Sequence, residues 1–202
     1  MNKKKKVVAV IPARYKSTRF EGKPLAKILG KPMIYHVYEN IKRCASLDEI
    51  IIATDDERIQ KTVTDFGGKV VMTSSECATG TDRVAEVARM IEADIIVNVQ
   101  GDEPMTEIKM IEDLIQPLLD DDKVNVTNLV TKISDLASYV DTTVVKAALD
   151  VFGNIMFLTR APIPYPKTRQ GYVVYQQIGA YAFRKDFLLT YAQMPQTPLE
   201  LI

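Results

Sequence analysis

VVAVIPARYKSTRFEGKPLAKILGKPM, residues 7–33, decides the fold. Its first six residues are apolar without alternation, the pattern of a short strand covered on both faces. A loop follows at once with six cations, Arg14, Lys16, Arg19, Lys23, Lys27 and Lys31, against one carboxylate, Glu21. Strands buried on both faces belong to parallel sheets, and an open parallel sheet takes its ligand beyond the carboxyl ends of its strands. The loop therefore stands where a ligand belongs, and its charge calls for an anion.

The same alternation continues downstream. After Pro32, suited to a first helical turn, Met33, Ile34, Val37, Tyr38 and Ile41 recur at helical spacing. Residues 49–54 (EIIIAT) read as a strand, 56–66 as a helix closed by Gly67 and Gly68, and 69–73 as another strand. Residues 81–92 place Val84, Val87, Ala88 and Ile91 on one helical face, and 94–100 (DIIVNVQ) form a further apolar strand. This order predicts an α/β fold with a doubly wound, mostly parallel, Rossmann-like sheet and right-handed crossovers. A helix over 106–116 should be stopped or kinked by Pro117. Beyond it the strand-like runs 125–133, 143–149, 155–158 and 173–183 extend the sheet and add a β-rich flap, roughly 125–190, within a single domain spanning 1–202.

Composition narrows the function. The chain has 202 residues, 47% of them hydrophobic, which suffices for a real core. Basic and acidic residues balance at 26 each, and no aromatic residues interleave with a basic face, so neither nucleic acid nor an anionic membrane is the expected partner. Cys44 and Cys77 lack metal or redox spacing and suggest a reducing, cytoplasmic setting. The apolar run after Lys3–Lys6 ends too early at Pro12 and Arg14 for a signal peptide. His36, the single histidine, falls on the polar side of its helix and reads as a surface or capping residue.

Three segments carry chemistry. In the opening loop Gly22 and Gly30 let backbone approach a ligand while arginine and lysine engage phosphate oxygens, an arrangement suited to a triphosphate. The spacing is not that of a Walker A loop, and a solvated basic loop accounts for the composition equally well. The second segment, VQGDEP at 99–104, delivers Asp102 and Glu103 to the sheet's carboxyl edge, where Mg²⁺ could share a carboxylate with substrate phosphates. A helix N-cap is the competing role for those acids. Cations facing a metal carboxylate point to nucleotidyl or phosphoryl transfer. In the third, ATGTDR at 78–83, Thr81 is placed as a helix cap, Gly80 exposes backbone amides, and Arg83 could hold a base carbonyl or a phosphate.

Together these segments closely resemble the 3-deoxy-manno-octulosonate (Kdo) cytidylyltransferases. The resemblance is carried by IPARYKSTRFEGKPL (11–25), GKPMI (30–34), ATD (53–55), TGTDR (79–83), VNVQGDEPM (97–105), VVKAALD (144–150), LTRAPIPY (158–165), IGAYAFR (178–184) and PLE (198–200). It implies a nucleotide-diphospho-sugar transferase-like fold and a reaction of CTP with a 3-deoxy-ulosonic acid, giving the CMP-sugar and pyrophosphate for lipopolysaccharide synthesis. By the same resemblance Arg14 and Lys23 grip the triphosphate with help from Arg19, and Pro12 and Ala13 belong to the nucleotide site. Asp102 holds Mg²⁺, while Thr79, Thr81 and Arg83 recognise cytosine. Gln100, which the resemblance also assigns to the nucleotide site, would meet the sugar acid with Arg160, Gln177 and Tyr181, and a homodimer is implied.

Three departures from the family pattern qualify this. Glu21 stands where a proline usually precedes the glycine. Gln177 replaces the usual histidine of the sugar pocket, which keeps hydrogen bonding but removes a titratable group and brings an amino-substituted Kdo or a nonulosonic acid into consideration. The sequence ends at Ile202, before the helix and the aspartate that supply the family's second metal ligand. That ending predicts weak Mg²⁺ binding and little turnover, and leaves a catalytically silent CTP-binding protein as the alternative.

Overall fold

A computed structural model describes residues 4–16, 20–165 and 172–198. In chain order the elements are β1 (Val7–Pro12), a 3-10 turn (Lys23–Leu25), β2 (Lys27–Ile28), β3 (Lys31–Pro32), α1 (Met33–Ile41), β4 (Glu49–Thr54), α2 (Glu57–Asp65) and β5 (Val70–Met72). Then come α3 (Gly80–Met90), β6 (Ile95–Asn98), α4 (Ile108–Asp120), β7 (Val126–Ile133), α5 (Leu136–Val140), β8 (Lys146–Leu149), β9 (Ile155–Thr159), β10 (Val174–Arg184) and α6 (Lys185–Tyr191). Asn128–Gly179 form one compact unit, and the described residues before and after them form another.

In the larger unit β1 lies between β4 and β6, parallel to both, with β5 parallel beyond β4. The last residues of β10 close this sheet against β6 in antiparallel fashion, Tyr181 opposite Asn98 and Arg184 opposite Ile95. The chain thus winds outward from β1 through β4 to β5, then returns to place β6 on the other side. The connections leaving β1 and β6 consequently run to opposite sides, the switch point where such sheets leave a crevice beyond the strand ends. Val8, Val10, Ile51, Ala53 and Ile96 build the core with Val84, Val87 and Ala88 of α3 and Leu188 of α6.

Local chemistry sets the element ends. Asp56 caps α2 by accepting from the Arg58 amide at 2.9 Å, and its carboxyl is held below the usual range by hydrogen bonding to Arg58. Gly67, at φ 78°, ends the helix as its amide and that of Gly68 turn back to Thr64 and Val63. Pro117 does not stop α4, which runs on to Asp120. Proline forfeits one backbone bond, but Ile111, Leu114, Ile115 and Leu118 are all buried on one side of the helix, and that burial outweighs the loss. No described helix is long and apolar enough to cross a membrane.

The smaller unit is β-rich and narrower than the stretch over 125–190 suggested by the sequence. β8 and β9 form an antiparallel pair with Lys146 opposite Thr159, and the start of β10 pairs with β8 at Tyr175 and Gln176. Asp135 caps the short α5, which the sequence had not marked, by accepting from the Ser138 amide at 2.7 Å.

Candidate functional site

Just past the carboxyl end of β6, Gly101 lies against the end of β1. A Cβ at that position would meet the Pro12 carbonyl oxygen at 2.8 Å, so glycine is demanded by close backbone approach. The turn after Asp102 is pinned from the side: Asn40 of α1 donates to the Thr106 carbonyl, and the Thr106 hydroxyl donates to the Glu103 carbonyl at 2.9 Å. Glu107 occupies the N-cap of α4, so Asp102 and Glu103 do not cap it. The competing structural role for these two acids is thereby removed.

A cavity of about 680 Å³ opens at this switch point, a size suited to a nucleotide. Pro12, Ala13, Arg14 and Lys23 line it from the loop after β1, Gln100, Gly101 and Asp102 from the turn after β6, and Thr79, Gly80 and Arg83 from the start of α3. Among the described lining residues Arg14, Lys23 and Arg83 bring three cations, and Asp102 brings the only carboxylate. Lys23 Nζ donates to Asp102 Oδ2 at 2.6 Å, so two residues 79 positions apart in the chain meet directly.

Of the six cations in the opening loop, Lys27 and Lys31 lie elsewhere. They belong to the β2–β3 hairpin, where Lys31 sits over the Tyr35 ring at 5.2 Å. Lys16 is exposed and does not line the cavity, and Arg19 lies outside the described residues. The loop itself is braced by Tyr15, whose ring carries the Arg58 guanidinium 3.2 Å from its centroid and whose carbonyl accepts from the Gly22 amide at 2.8 Å. Gly22 adopts φ 69° with no room beside Tyr15, which fixes the turn that presents Lys23.

At the third segment the cap is Thr79, not Thr81. Thr79 accepts from the Asp82 amide at 3.2 Å while Asp82 accepts from the Thr79 amide at 2.9 Å, a complete capping box. Thr81 is not among the described lining residues; its hydroxyl accepts from Asn98 Nδ2 at 3.5 Å. Arg83 is 4% exposed, ion-paired to Asp55 at 3.1 Å and donating to the Thr73 hydroxyl. These two partners fix the guanidinium at the cavity wall. Neither Asp55 nor Thr73 was singled out for such a role by sequence, although both end strands at the carboxyl edge.

Cys77 also reaches the cavity, and burial together with its bond to Glu86 pushes its thiol up to about 11, so it stays protonated at neutral pH. His36 accepts no catalytic position; its Nε2 pairs with the Ile28 carbonyl at 2.7 Å and ties α1 to the hairpin.

The four residues assigned to the sugar acid divide between the units. Gln100 lines the cavity and donates to Asn98 Oδ1 at 3.4 Å, whereas Tyr181 stacks on Phe183 at 5.9 Å and is not a described lining residue. Within the smaller unit, Arg160 donates through Nη1 to the Thr142 and Thr143 carbonyls at 2.9 and 3.1 Å. Gln177 donates to Asn128 Oδ1 at 2.9 Å.

A divalent cation with oxygen preference takes one or two carboxylates and fills its shell with phosphate and water. Asp102, beside cations able to hold phosphate, fits that donor set. Among the described residues no group of three or more His, Cys, Asp or Glu could hold a metal without substrate.

The family model for cytidylyltransferases matches residues 8–202. The 3-deoxy-manno-octulosonate cytidylyltransferase of Geobacter metallireducens is 46% identical over 97% of this chain and 82% of its own length. That of Syntrophotalea carbinolica is 46% identical over 96% of this chain and 81% of its own. Among solved structures, a CMP:2-keto-3-deoxy-manno-octonic acid synthetase complexed with CTP superposes with a TM-score of 0.93 at 42% identity, covering 97% of this chain and 81% of that one.

Proposed function

This chain belongs to the 3-deoxy-manno-octulosonate cytidylyltransferase family, and from that premise we propose that it transfers CMP from CTP to Kdo in the cavity at the carboxyl ends of β1 and β6, releasing pyrophosphate. The observation that carries the proposal is the convergence of Arg14, Lys23 and Asp102 on one cavity, with Lys23 and Asp102 in contact at 2.6 Å.

The chemistry follows from the charges. A triphosphate entering beside Arg14 and Lys23 meets two cations that bind it in the ground state and bind more strongly the charge gathering on pyrophosphate as it leaves. Lys23 exchanges its bond to Asp102 for bonds to phosphate, which frees the carboxylate as the phosphates arrive. Mg²⁺, held by Asp102 and the phosphates, would neutralise phosphate charge and polarise the α-phosphorus. The sugar's anomeric hydroxyl attacks that phosphorus in line, gives its proton to solvent water and displaces pyrophosphate, with no covalent enzyme intermediate. The family resemblance assigns the base to Arg83, held by Asp55 and Thr73, and to the Thr79–Gly80 turn, and assigns the sugar acid to Gln100, Arg160, Gln177 and Tyr181. Pro12 and Ala13 shape the wall on the nucleotide side, and Thr81 supports the turn through Asn98.

The substrate test is pyrophosphate release from CTP with Kdo, 8-amino-Kdo and a nonulosonic acid offered separately. Kdo is expected to be turned over fastest, and release from CTP that is indifferent to any sugar acid would refute the transfer. A cytoplasmic, homodimeric enzyme of lipopolysaccharide synthesis is part of the same reading. The dimer is supported by the large apolar side chains of Val151, Phe152, Met156 and Phe157, exposed around the β8–β9 hairpin, and a monomer mass by sedimentation at micromolar protein would contradict it.

A further inference from the structure

In the smaller unit one buried group has no part in the chemistry above. Lys146, the first residue of β8, has no solvent exposure and is the largest fully buried side chain among the described residues. No described ion pair reaches it. Its ammonium instead donates to three backbone carbonyls, those of Val144 at 3.0 Å, Arg160 at 3.2 Å and Asp141. An ammonium has three hydrogens, so this set saturates it.

The Asp141 carboxylate acts on the Lys146 ammonium only electrostatically, without an ion pair; burying a cation with no direct carboxylate partner is costly, and an apolar residue of similar length fills such a space at lower cost. What the cation alone provides is a fixed point for three converging carbonyl dipoles. Two of those carbonyls belong to the 141–144 loop, and the third belongs to Arg160 where the chain leaves β9. The Arg160 side chain meets the middle of the same loop, donating to Thr142 and Thr143. Main chain and guanidinium of Arg160 are therefore both referred to one loop, and Lys146 clamps that loop to the Arg160 backbone. The register Lys146 opposite Thr159 places the clamp one residue before Arg160.

We propose that Lys146 is a positioning residue for sugar-acid recognition: by holding the 141–144 loop and the Arg160 carbonyl together it sets the direction of the Arg160 guanidinium toward the substrate carboxylate. The inference rests on the assignment of Arg160 to the sugar acid, and its test separates the two. Binding of Kdo to CTP-saturated protein is measured calorimetrically in EDTA, so that no turnover is needed, and CTP affinity is measured alongside for Lys146→Met, Arg160→Ala and the double variant. Losing a charged hydrogen-bonding clamp should weaken Kdo binding about tenfold in Lys146→Met, with CTP affinity unchanged. The double variant should bind Kdo no more weakly than Arg160→Ala alone, because Lys146 acts through Arg160. Equal weakening of CTP and Kdo would mark a merely structural lysine and overturn the proposal, as would wild-type Kdo affinity in Lys146→Met while Arg160→Ala binds poorly. Wild-type affinity in Arg160→Ala would instead remove the assignment on which the proposal stands. Should the methionine variant fail to fold, Lys146→Arg keeps the charge but not the three-carbonyl geometry, and the same selective loss of Kdo binding is expected of it.

Discussion

Asp102→Asn is expected to lower kcat for CMP transfer on the order of 10²–10³-fold while leaving the fold intact. The substitution keeps the side chain's shape and leaves an amide oxygen for Lys23, so what changes is charge. The Lys23–Asp102 pair is 37% and 45% exposed at its two side chains, and a pair so open to water contributes under about 1 kcal/mol to stability. A melting temperature close to wild type should therefore accompany the loss of turnover. Metal-free CTP affinity is the discriminating readout. Removing the only carboxylate among the described lining residues relieves repulsion of the triphosphate and releases Lys23 to it, so CTP should bind as tightly as before or more tightly. A kcat within threefold of wild type would show that Asp102 is a spectator. Weaker CTP binding in EDTA would mean that the carboxylate orders the site and does not serve a phosphate-bound cation.

Gly101→Ala acts on the same site through the backbone. The added methyl would lie 2.8 Å from the Pro12 carbonyl oxygen, and that oxygen cannot swing away as a flexible side chain would. Ala13, next along, is bound through its amide to the Ala53 carbonyl at 2.8 Å, while Val99 is bound to the Val10 carbonyl at 3.1 Å. The two chains must therefore separate at the switch point, against a fully buried Ile11 and Val99 on either side. Overpacking of this kind costs about 1–3 kcal/mol, or roughly 2–12 °C in melting temperature for a chain of this size. Because Pro12 and Gly101 both line the cavity, CTP affinity should fall together with stability. An alanine variant with unchanged melting and unchanged CTP affinity would show that the two chains are not held at contact distance.

What sequence reveals here tracks how local the physics is. β1, β4 and β6 are legible because residues such as Val8, Ile51 and Ile96 are buried on both faces and leave continuous apolar runs. The end of α2 is legible because Gly67 takes a left-handed conformation that the sequence advertises. The cap of α3 is not: the sequence reading puts it at Thr81, whereas Thr79 and Asp82 form the capping box, and only the helix start decides between the two threonines. Pro117 misleads as a stop signal because the breaker rule is local, whereas the buried side of α4 is set by the core it packs on.

The site divides in the same way. The rule that ligands gather at the carboxyl edge brings the opening loop and Asp102 to one place without coordinates, and Lys23 does meet Asp102 there. It does not say which of six cations turn inward, because that depends on the β2–β3 hairpin carrying Lys27 and Lys31 elsewhere. Nor does it reveal that Arg83 is held by Asp55 and Thr73, since these residues meet only after β4, β5 and α3 have packed together. Lys146 is the extreme case. A lysine within an apolar strand gives no sign in sequence that its ammonium will close on three carbonyls.

The account stands most directly on where the triphosphate of CTP lies. A crystal structure of the chain with CTP and Mg²⁺ should place the phosphates against Arg14 and Lys23, with Lys23 no longer bonded to Asp102 and the cytosine beside Thr79 and Arg83. Phosphates bound away from the β1–β6 switch point, with the Lys23–Asp102 pair still closed, would contradict it.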